Sequence, residues 1–228
     1  MHDDYAGDVG DFGKIALLRH LSQGCRLGVC WYKTQSFGKK NNDGKHISYL
    51  NQPDKFKWLE PEVFVGLDKI VNNPCRRRCI AALEDSGLLG GAIFHDTEVP
   101  ENSSRRSWAE TLNAKMNERN FVFLDPDNGI EGTRLSPKHV ALSEIAALKQ
   151  NGRVLIVYHH QGRRKAEVEA NILMRKIMDA GWNPVELVRF RLFSSRFYVI
   201  AGHDRAIRER IKGFVNKWGE DRIMHYAG

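Results

Sequence analysis

Two carboxylates, an amide and a third acid stand at the end of one apolar run of this chain. The run at 121–125 ends in Asp125, and Asp127, Asn128 and Glu131 follow within six residues. A continuous apolar run closed by turn residues is typical of a buried parallel strand. Ligands of open α/β sheets bind just beyond the carboxyl ends of such strands. The sequence therefore predicts chemistry here, although Pro-Asp-Asn-Gly also suits a simple turn whose polar side chains cap the following element.

A pair of histidines, His159 and His160, follows a second apolar run at 153–158. If the two runs form neighbouring strands, their ends lie about 5 Å apart, and Asp125 and its neighbours face the imidazoles. Carboxylates beside imidazoles suit general acid–base catalysis, with His159 as the catalytic imidazole, or a divalent ion such as Mg²⁺ or Mn²⁺. The histidines would otherwise serve only to cap a strand or meet solvent. The metal alternative uses Asp125, Asp127, Glu131, His159 and His160.

The N-terminal segment at 5–14 interleaves glycines with charged residues. Its spacing is not that of a Walker A phosphate loop, because Ile15 follows Lys14 where that motif has Ser or Thr. We predict instead that Asp11 caps a helix from Phe12 to about residue 21. The glycines would allow the backbone to approach a ligand closely.

Predicted strands alternate with predicted helices along the remaining chain. This alternation predicts a Rossmann-like α/β fold with a mostly parallel sheet and helices on both faces. Two closing strands separated by a short turn predict an antiparallel hairpin. A helical insertion is expected at 47–89, with helices at 61–72 and 74–87, and 228 residues suit a single domain at 1–228. The strands are expected at 27–33, 91–95, 121–125, 153–158, 185–192 and 196–201.

Composition points to a phosphate-bearing partner. The net charge of +7 and the pI of 9.3 favour nucleic acid, RNA or DNA, and Arg163, Arg164 and Arg196 are candidates for phosphate contact. The polar N-terminus and the absence of any apolar run of about 18 residues predict neither a signal peptide nor a membrane partner. Four cysteines without a Cys-x-x-Cys pair predict free thiols and a cytoplasmic location.

Two motifs resemble those of known methyltransferases. The strand end at 125–128, Asp-Pro-Asp-Asn, resembles the Asp/Asn-Pro-Pro-Tyr/Phe signature of class I S-adenosylmethionine-dependent amino-methyltransferases. The N-terminal segment at 5–14 resembles the N-terminal Ala-Gly-Asn-x-x-Asp-x-x-Lys stretch of the bacterial large-subunit rRNA adenine methyltransferases. Gly7, Asp11 and Lys14 match that stretch. The chain also resembles a group of bacterial and phage proteins that have the same N-terminal segment and the Asp-Pro-Asp-Asn-Gly element.

The resemblance implies a methyltransferase-type domain that binds S-adenosylmethionine and modifies an amino group of a nucleic-acid base. Asp125 would accept hydrogen bonds from the target amine, and Asp127 and Asn128 would orient it. An acid beyond a neighbouring strand, Asp96 or Glu98, would hold the ribose hydroxyls. The residues expected around the cofactor are Tyr5, Gly7, Asp8, Asp11, Lys14, Asp43, His46 and Asp96.

The chain also departs from that pattern. Asp127 replaces the second proline and Asn128 replaces the aromatic residue that stacks on the base. The first strand is followed by Trp-Tyr-Lys-Thr rather than by an acidic-Gly-x-Gly loop. A metal-dependent nuclease using the same cleft, and a non-catalytic module binding RNA or a partner protein, therefore remain as alternative hypotheses.

Overall fold

A computed structural model describes residues 1–34, 46–101 and 103–227. The chain divides into two compact units, and the prediction of a single domain stays a prediction. The first unit comprises Met1, Gly24–Thr34 and Ala92–Gly228, and the second comprises His2–Gln23 and Gln35–Gly91. The strands are β1 (Leu27–Cys30), β2 (Ile93–His95), β3 (Phe121–Leu124), β4 (Gly129–Ile130), β5 (His139–Val140), β6 (Val154–His160), β7 (Val185–Phe190), β8 (Arg196–Ala201) and β9 (Ile223–Ala227). The α-helices are α1 (Val9–Leu21), α2 (Pro53–Phe56), α3 (Pro61–Val71), α4 (Ile80–Asp85), α5 (Arg105–Met116), α6 (Leu142–Ala147), α7 (Ala166–Asp179) and α8 (Arg205–Trp218).

A seven-stranded mixed sheet in the order β2-β1-β3-β6-β8-β7-β9 forms the first unit. The strands β2, β1, β3 and β6 run parallel, and β8 lies antiparallel between β6 and β7. The predicted neighbours β3 and β6 are paired, with Leu124 opposite Val157, and the predicted closing hairpin is present. The fold is therefore Rossmann-like, as the alternation of elements predicts.

Side chains of β3 alternate between two apolar layers, because successive residues of a strand point to opposite faces. Val122 and Leu124 join a buried cluster that includes residues of α5, α6 and α7. On the opposite face, Phe123 lies 6.4 Å from Tyr198 of β8, ring centre to ring centre. Phe190 of β7 packs there against Phe214 of α8 at 6.0 Å. Helices thus cover both faces of the sheet.

The second unit is helical, and its core is aromatic. Phe12 of α1 lies 5.4 Å from Tyr49 and 6.3 Å from both Phe56 and Phe64, ring centre to ring centre. The helix predicted at 61–72 is confirmed as α3. The helix predicted at 74–87 begins only at Ile80, because the Asn73 side chain accepts hydrogen bonds from the two backbone N–H groups of residues 75 and 76 and forms a turn there.

Three short strands were missed by the sequence prediction. β9 extends the sheet beyond β7, and β4 and β5 form a separate two-stranded parallel pair after the Asp125 loop. All four cysteines are free thiols. None of the helices in the described ranges is long and apolar enough to cross a bilayer.

Candidate functional site

The carboxyl ends of β1 and β3 form the point where the strand order reverses. The chain runs from β1 to β2 on one side and then returns to place β3 on the other side of β1. Such a switch point opens a crevice in which α/β proteins bind ligands. Asp125 lies at this switch point: it follows β3, it is only 3% exposed, and its backbone N–H donates to the Cys30 carbonyl at 2.8 Å.

Tyr32 makes the corresponding turn after β1. Its φ of 45° lies in the left-handed region, which glycine adopts more readily than any other residue. The Tyr32 ring is buried and packs edge-on against Trp108 at 5.1 Å. Burial raises the Tyr32 pKa well above its ordinary value, and Glu144 adds to the shift. The hydroxyl therefore stays protonated and donates to Glu144 Oε2 at 3.0 Å.

Glu144 holds this turn in place, because both of its carboxylate oxygens accept hydrogen bonds. Arg105 donates to both Glu144 oxygens, from Nε at 2.7 Å and from Nη2 at 3.0 Å. The Ala141 backbone N–H donates to Glu144 Oε2 at 2.9 Å. Bidentate arginine–carboxylate pairs fix geometry as well as adding energy. The turn after β1 is thus held to α5 and to the start of α6.

Asp127 is engaged inside the protein. Its side chain is 5% exposed and forms an ion pair with the α-amino group of Met1. Thr34 Oγ1 donates to Asp127 Oδ2 at 3.3 Å, and Lys138 Nζ lies 3.7 Å from the same oxygen. The predicted role of Asp127 in orienting a substrate amine stays a prediction. These contacts tie the loop after β3 to the segment that follows β1.

Asn128 and Gly129 complete the loop. Asn128 is exposed, its backbone N–H donates to the Lys138 carbonyl at 2.9 Å, and its carbonyl accepts the His160 N–H at 3.3 Å. Gly129 has a φ of +106°, and a Cβ there would lie 2.3 Å from His159 Nδ1. Only glycine allows the His159 ring to press against the loop this closely.

His159 braces the loop with both ring nitrogens. Nδ1 accepts the Ile130 N–H at 3.0 Å, so the ring proton belongs on Nε2, which faces Glu169 Oε1 at 3.2 Å. Burial lowers the His159 pKa, opposed by Glu169. The sequence predicted a catalytic imidazole. In this structure the acceptor nitrogen Nδ1 is already occupied by the Ile130 N–H, and the catalytic role of His159 stays a prediction.

The five residues of the metal alternative are used separately. Glu131 Oε1 accepts the Leu142 N–H at 2.8 Å and so caps α6. His160 is exposed within β6, opposite Arg196 of β8, because the strand continues two residues past its predicted end. Among the described residues, no group of three or more His, Cys, Asp or Glu side chains is placed to hold a metal ion.

The glycine-rich segment at 5–14 forms a compact motif within the second unit. α1 begins at Val9, and Asp8 rather than Asp11 is its N-cap, accepting the Asp11 N–H at 3.1 Å. The predicted cap was wrong because the Asp11 carboxylate is committed elsewhere. It accepts the Gly7 N–H at 2.8 Å and Lys14 Nζ at 2.7 Å, and Asp11 and Lys14 are both buried.

The other predicted cofactor residues lie in both units. Tyr5 ends a short 3₁₀ turn, and the His46 carbonyl accepts the Val9 N–H at 3.0 Å in the second unit. Asp96 is exposed directly after β2 in the first unit, as Glu98 is two residues later. Asp43 lies outside the described residues. The cofactor roles of all of them stay predictions.

The predicted phosphate-contacting arginines differ in exposure. Arg163 and Arg164 are exposed after β6. Arg196 is only 5% exposed and donates to Ser194 Oγ at 2.6 Å. Arg196 therefore closes the β7–β8 hairpin instead of presenting its side chain at the surface.

Comparison with known proteins finds weak likeness to solved structures. No family model and no curated protein matches the chain. Among solved structures, human methyltransferase-like protein 13 in complex with SAH matches with 12% identity and a TM-score of 0.38. The match covers 90% of this chain and 86% of that chain. The fold assignment rests on the strand order of this chain itself.

Proposed function

We propose that this chain is an S-adenosylmethionine-dependent methyltransferase that acts on an amino group of a nucleic-acid base. One observation carries the proposal: the buried Asp125, followed by Pro126, stands at the switch point of a sheet closed by an antiparallel hairpin. Both the placement and the residue pair correspond to the amine-holding site of the methyltransferases that the sequence resembles. The net charge of +7 suits a nucleic-acid substrate.

The residues around the crevice fit the cofactor. Asp96 follows β2, the neighbour of β1, and an acid at such a position suits ribose hydroxyls. The sequence after β1 has no acidic-Gly-x-Gly motif, but the left-handed Tyr32 makes a backbone turn of the kind that glycine normally supplies. S-adenosylmethionine, when bound, would supply an electrophilic methyl group.

Asp125 would act on the amine that receives this group. Its carboxylate, with the Pro126 carbonyl beside it, accepts hydrogen bonds from the amino hydrogens and so directs the nitrogen lone pair. Positive charge develops on that nitrogen during transfer, and a preorganised buried carboxylate stabilises it. Asn128, exposed on the same loop, would hydrogen-bond an edge of the base. Asn128 would not replace the stacking that an aromatic residue provides.

Calorimetry with S-adenosylhomocysteine tests the cofactor half of the proposal. The wild-type chain should bind this ligand, and Asp96→Asn should weaken binding by about 10- to 100-fold through the loss of a charge-assisted hydrogen bond. Glu209→Gln is the control, because Glu209 is an exposed acid on α8, a helix that carries none of the predicted cofactor residues. A folded wild-type sample that shows no heat of binding would remove the proposal.

Transfer of labelled methyl groups to mixed RNA and DNA tests the chemical half. Asp125→Ala should bind S-adenosylhomocysteine like the wild type and lose transfer by about 100- to 1,000-fold, as expected when one transition-state contact is removed. If this variant loses ligand binding instead, Asp125 belongs to the cofactor site and the assigned role is wrong.

A further inference from the structure

A hairpin surface lies next to the loop that carries Asp125. It consists of two segments. Residues 160–165 begin at the last residue of β6, and residues 189–196 surround the turn of the β7–β8 hairpin. The Gln161 N–H donates to the Ser195 carbonyl at 3.2 Å, and Arg189 Nε donates to Gln161 Oε1 at 2.8 Å. The His160 N–H in turn donates to the Asn128 carbonyl at 3.3 Å. The hairpin surface and the candidate site therefore lie at the same end of the sheet and are joined by hydrogen bonds.

The hairpin surface is strongly basic. Its fourteen residues include three basic side chains in each segment and no acidic one. Arg163, Arg164, Lys165 and Arg191 are exposed, Arg189 is half-buried, and Arg196 is buried. Clustered arginines at one edge of a domain form the electrostatic footprint expected for a phosphate backbone.

An aromatic side chain stands among these arginines. Phe193 is 47% exposed at the tip of the hairpin. Its φ is 59°, and the Ser194 N–H donates to the Leu192 carbonyl at 2.7 Å across it, which defines a tight γ-turn. A phenylalanine rarely adopts this backbone conformation, and such strain concentrates where a side chain must be presented in one way.

We infer that the hairpin surface binds single-stranded nucleic acid, with an unpaired base stacked on Phe193 and the phosphates held by Arg163, Arg164 and Arg191. Aromatic side chains interleaved with basic ones are the combination that single-strand binders use, because every base has a face that can stack. A duplex keeps its bases inside and would gain only the charge interaction. Phe193 gives the hairpin surface an aromatic face, which Asn128 does not give the loop. The inference rests on the proposed function for its class of substrate.

Fluorescence anisotropy tests the inference without any cofactor, so its outcome is separate from that of the proposed function. The probes are a labelled 12-nucleotide RNA, a DNA strand of the same sequence, the DNA duplex, and an abasic strand of equal length and charge. Wild type should bind the RNA or the DNA strand more tightly than the abasic strand by about 5- to 150-fold, the effect of one stacked base. Equal affinity for the abasic strand would overturn the stacking role.

Phe193→Gly removes the aromatic ring without straining the backbone, so it tests the contribution of the ring alone. Glycine tolerates a φ of 59°, so this variant should keep the wild-type melting temperature while its preference for the base-bearing strand disappears. Phe193→Tyr should retain the preference. Met178→Ala is the control for loss of an exposed apolar side chain, since Met178 is 51% exposed on α7. Wild-type affinity in Phe193→Gly would contradict the inference.

The double variant Arg163→Gln/Arg164→Gln tests the phosphate contacts. It should weaken binding to the abasic and base-bearing strands alike and lower the dependence of log affinity on log salt by about 0.7 per lost contact. Arg106→Gln on α5 is the control, because the Arg106 side chain is 90% exposed and lies outside the hairpin surface. An unchanged salt dependence in the double variant would remove these arginines from the binding surface.

Discussion

The Tyr32 hydroxyl lies 3.0 Å from Glu144 Oε2, although the two residues are 112 positions apart in the chain. This contact joins the left-handed turn after β1 to the arginine-paired carboxylate at the start of α6. It explains how a tyrosine can hold a conformation that glycine normally adopts. The shape of the crevice at the switch point therefore depends on a side chain that no glycine motif would reveal.

Tyr32→Phe should lower the free energy of unfolding by about 1–3 kcal/mol, because Glu144 loses a buried donor. It should also weaken S-adenosylhomocysteine binding, since the turn borders the crevice. Tyr226→Phe is the matched control, because the Tyr226 hydroxyl makes a weak contact, at 3.9 Å, to Met224 Sδ. Urea denaturation and calorimetry measure the two effects, and equal stability of both variants would show that the Glu144 contact contributes nothing.

Gly129→Ala should destabilise the protein by at least about 2 kcal/mol, because φ is +106° and the new Cβ would lie 2.6 Å from the His159 backbone. Gly132→Ala should change stability by less than about 0.5 kcal/mol, since a Cβ there meets nothing within 4 Å. Thermal denaturation compares the two variants. Similar melting temperatures would mean that the loop can move away from His159.

Arg153→Met should cost at least about 3 kcal/mol of unfolding free energy, because several buried carbonyls lose their donor at once. Arg153 donates to the carbonyls of Arg119 at 2.8 Å, Leu148 at 2.6 Å and Met116 at 2.7 Å. Arg106→Met, at an exposed site, should change stability by less than about 0.5 kcal/mol. Urea midpoints test this, and a stable Arg153→Met variant would contradict it.

A buried carboxylate–histidine cluster links β7, β9 and α8. Glu186 is 1% exposed, accepts His225 Nε2 at 2.8 Å, and lies 2.6 Å from Arg208 Nε and 3.3 Å from His203 Nε2. Burial alone would raise the Glu186 pKa, but the His225 hydrogen bond and the surrounding positive charges outweigh it and lower the pKa. Burial likewise lowers the His203 pKa, against the attraction of Glu186.

Stability should therefore fall on acidification. A histidine with a lowered pKa contributes fully above about pH 6.5, its unfolded value, and loses that contribution as the pH falls through its folded value. A glutamate with a lowered pKa behaves in the same way, starting below about pH 4.5. Urea titrations at pH 7.5, 6.5, 5.5 and 4.5 should show a decline of up to about 1.4 kcal/mol per pH unit for each histidine.

His203→Gln should reduce the slope of this decline between pH 6.5 and 5.5, because the variant has one fewer buried group that the unfolded chain protonates. A slope equal to that of the wild type would assign the pH dependence to the other buried imidazoles, among them His159. Stability that rises below pH 6.5 would contradict the prediction as a whole.

The sequence predicted the sheet well because apolar runs and turn residues report burial directly. The adjacency of β3 and β6 and the closing hairpin follow from that pattern. β9 was missed because 223–227 mixes polar and apolar residues. Its strand character comes from pairing with β7, a partner that a local pattern cannot reveal.

The site was predicted less completely because side-chain partners come from distant segments. The placement of Asp125 at the end of β3 follows from sequence. The contacts of His159 do not follow from sequence, since its partner Glu169 lies on α7 and its other contact is a backbone N–H. Two acids three positions apart, Asp8 and Asp11, can each cap a helix, and only the Gly7 and Lys14 contacts decide between them.

The position of β8 between β6 and β7 imposes an order on assembly. β6 and β7 are synthesised earlier but do not pair with each other, so each has an open edge until Arg196–Ala201 arrives. During synthesis, the apolar edge of β6 is thus exposed until the 41 residues from 161 to 201 have been added. Open apolar edges invite pairing with other chains. The nascent protein therefore has a period of vulnerability to aggregation that ends only when the hairpin folds back into the gap.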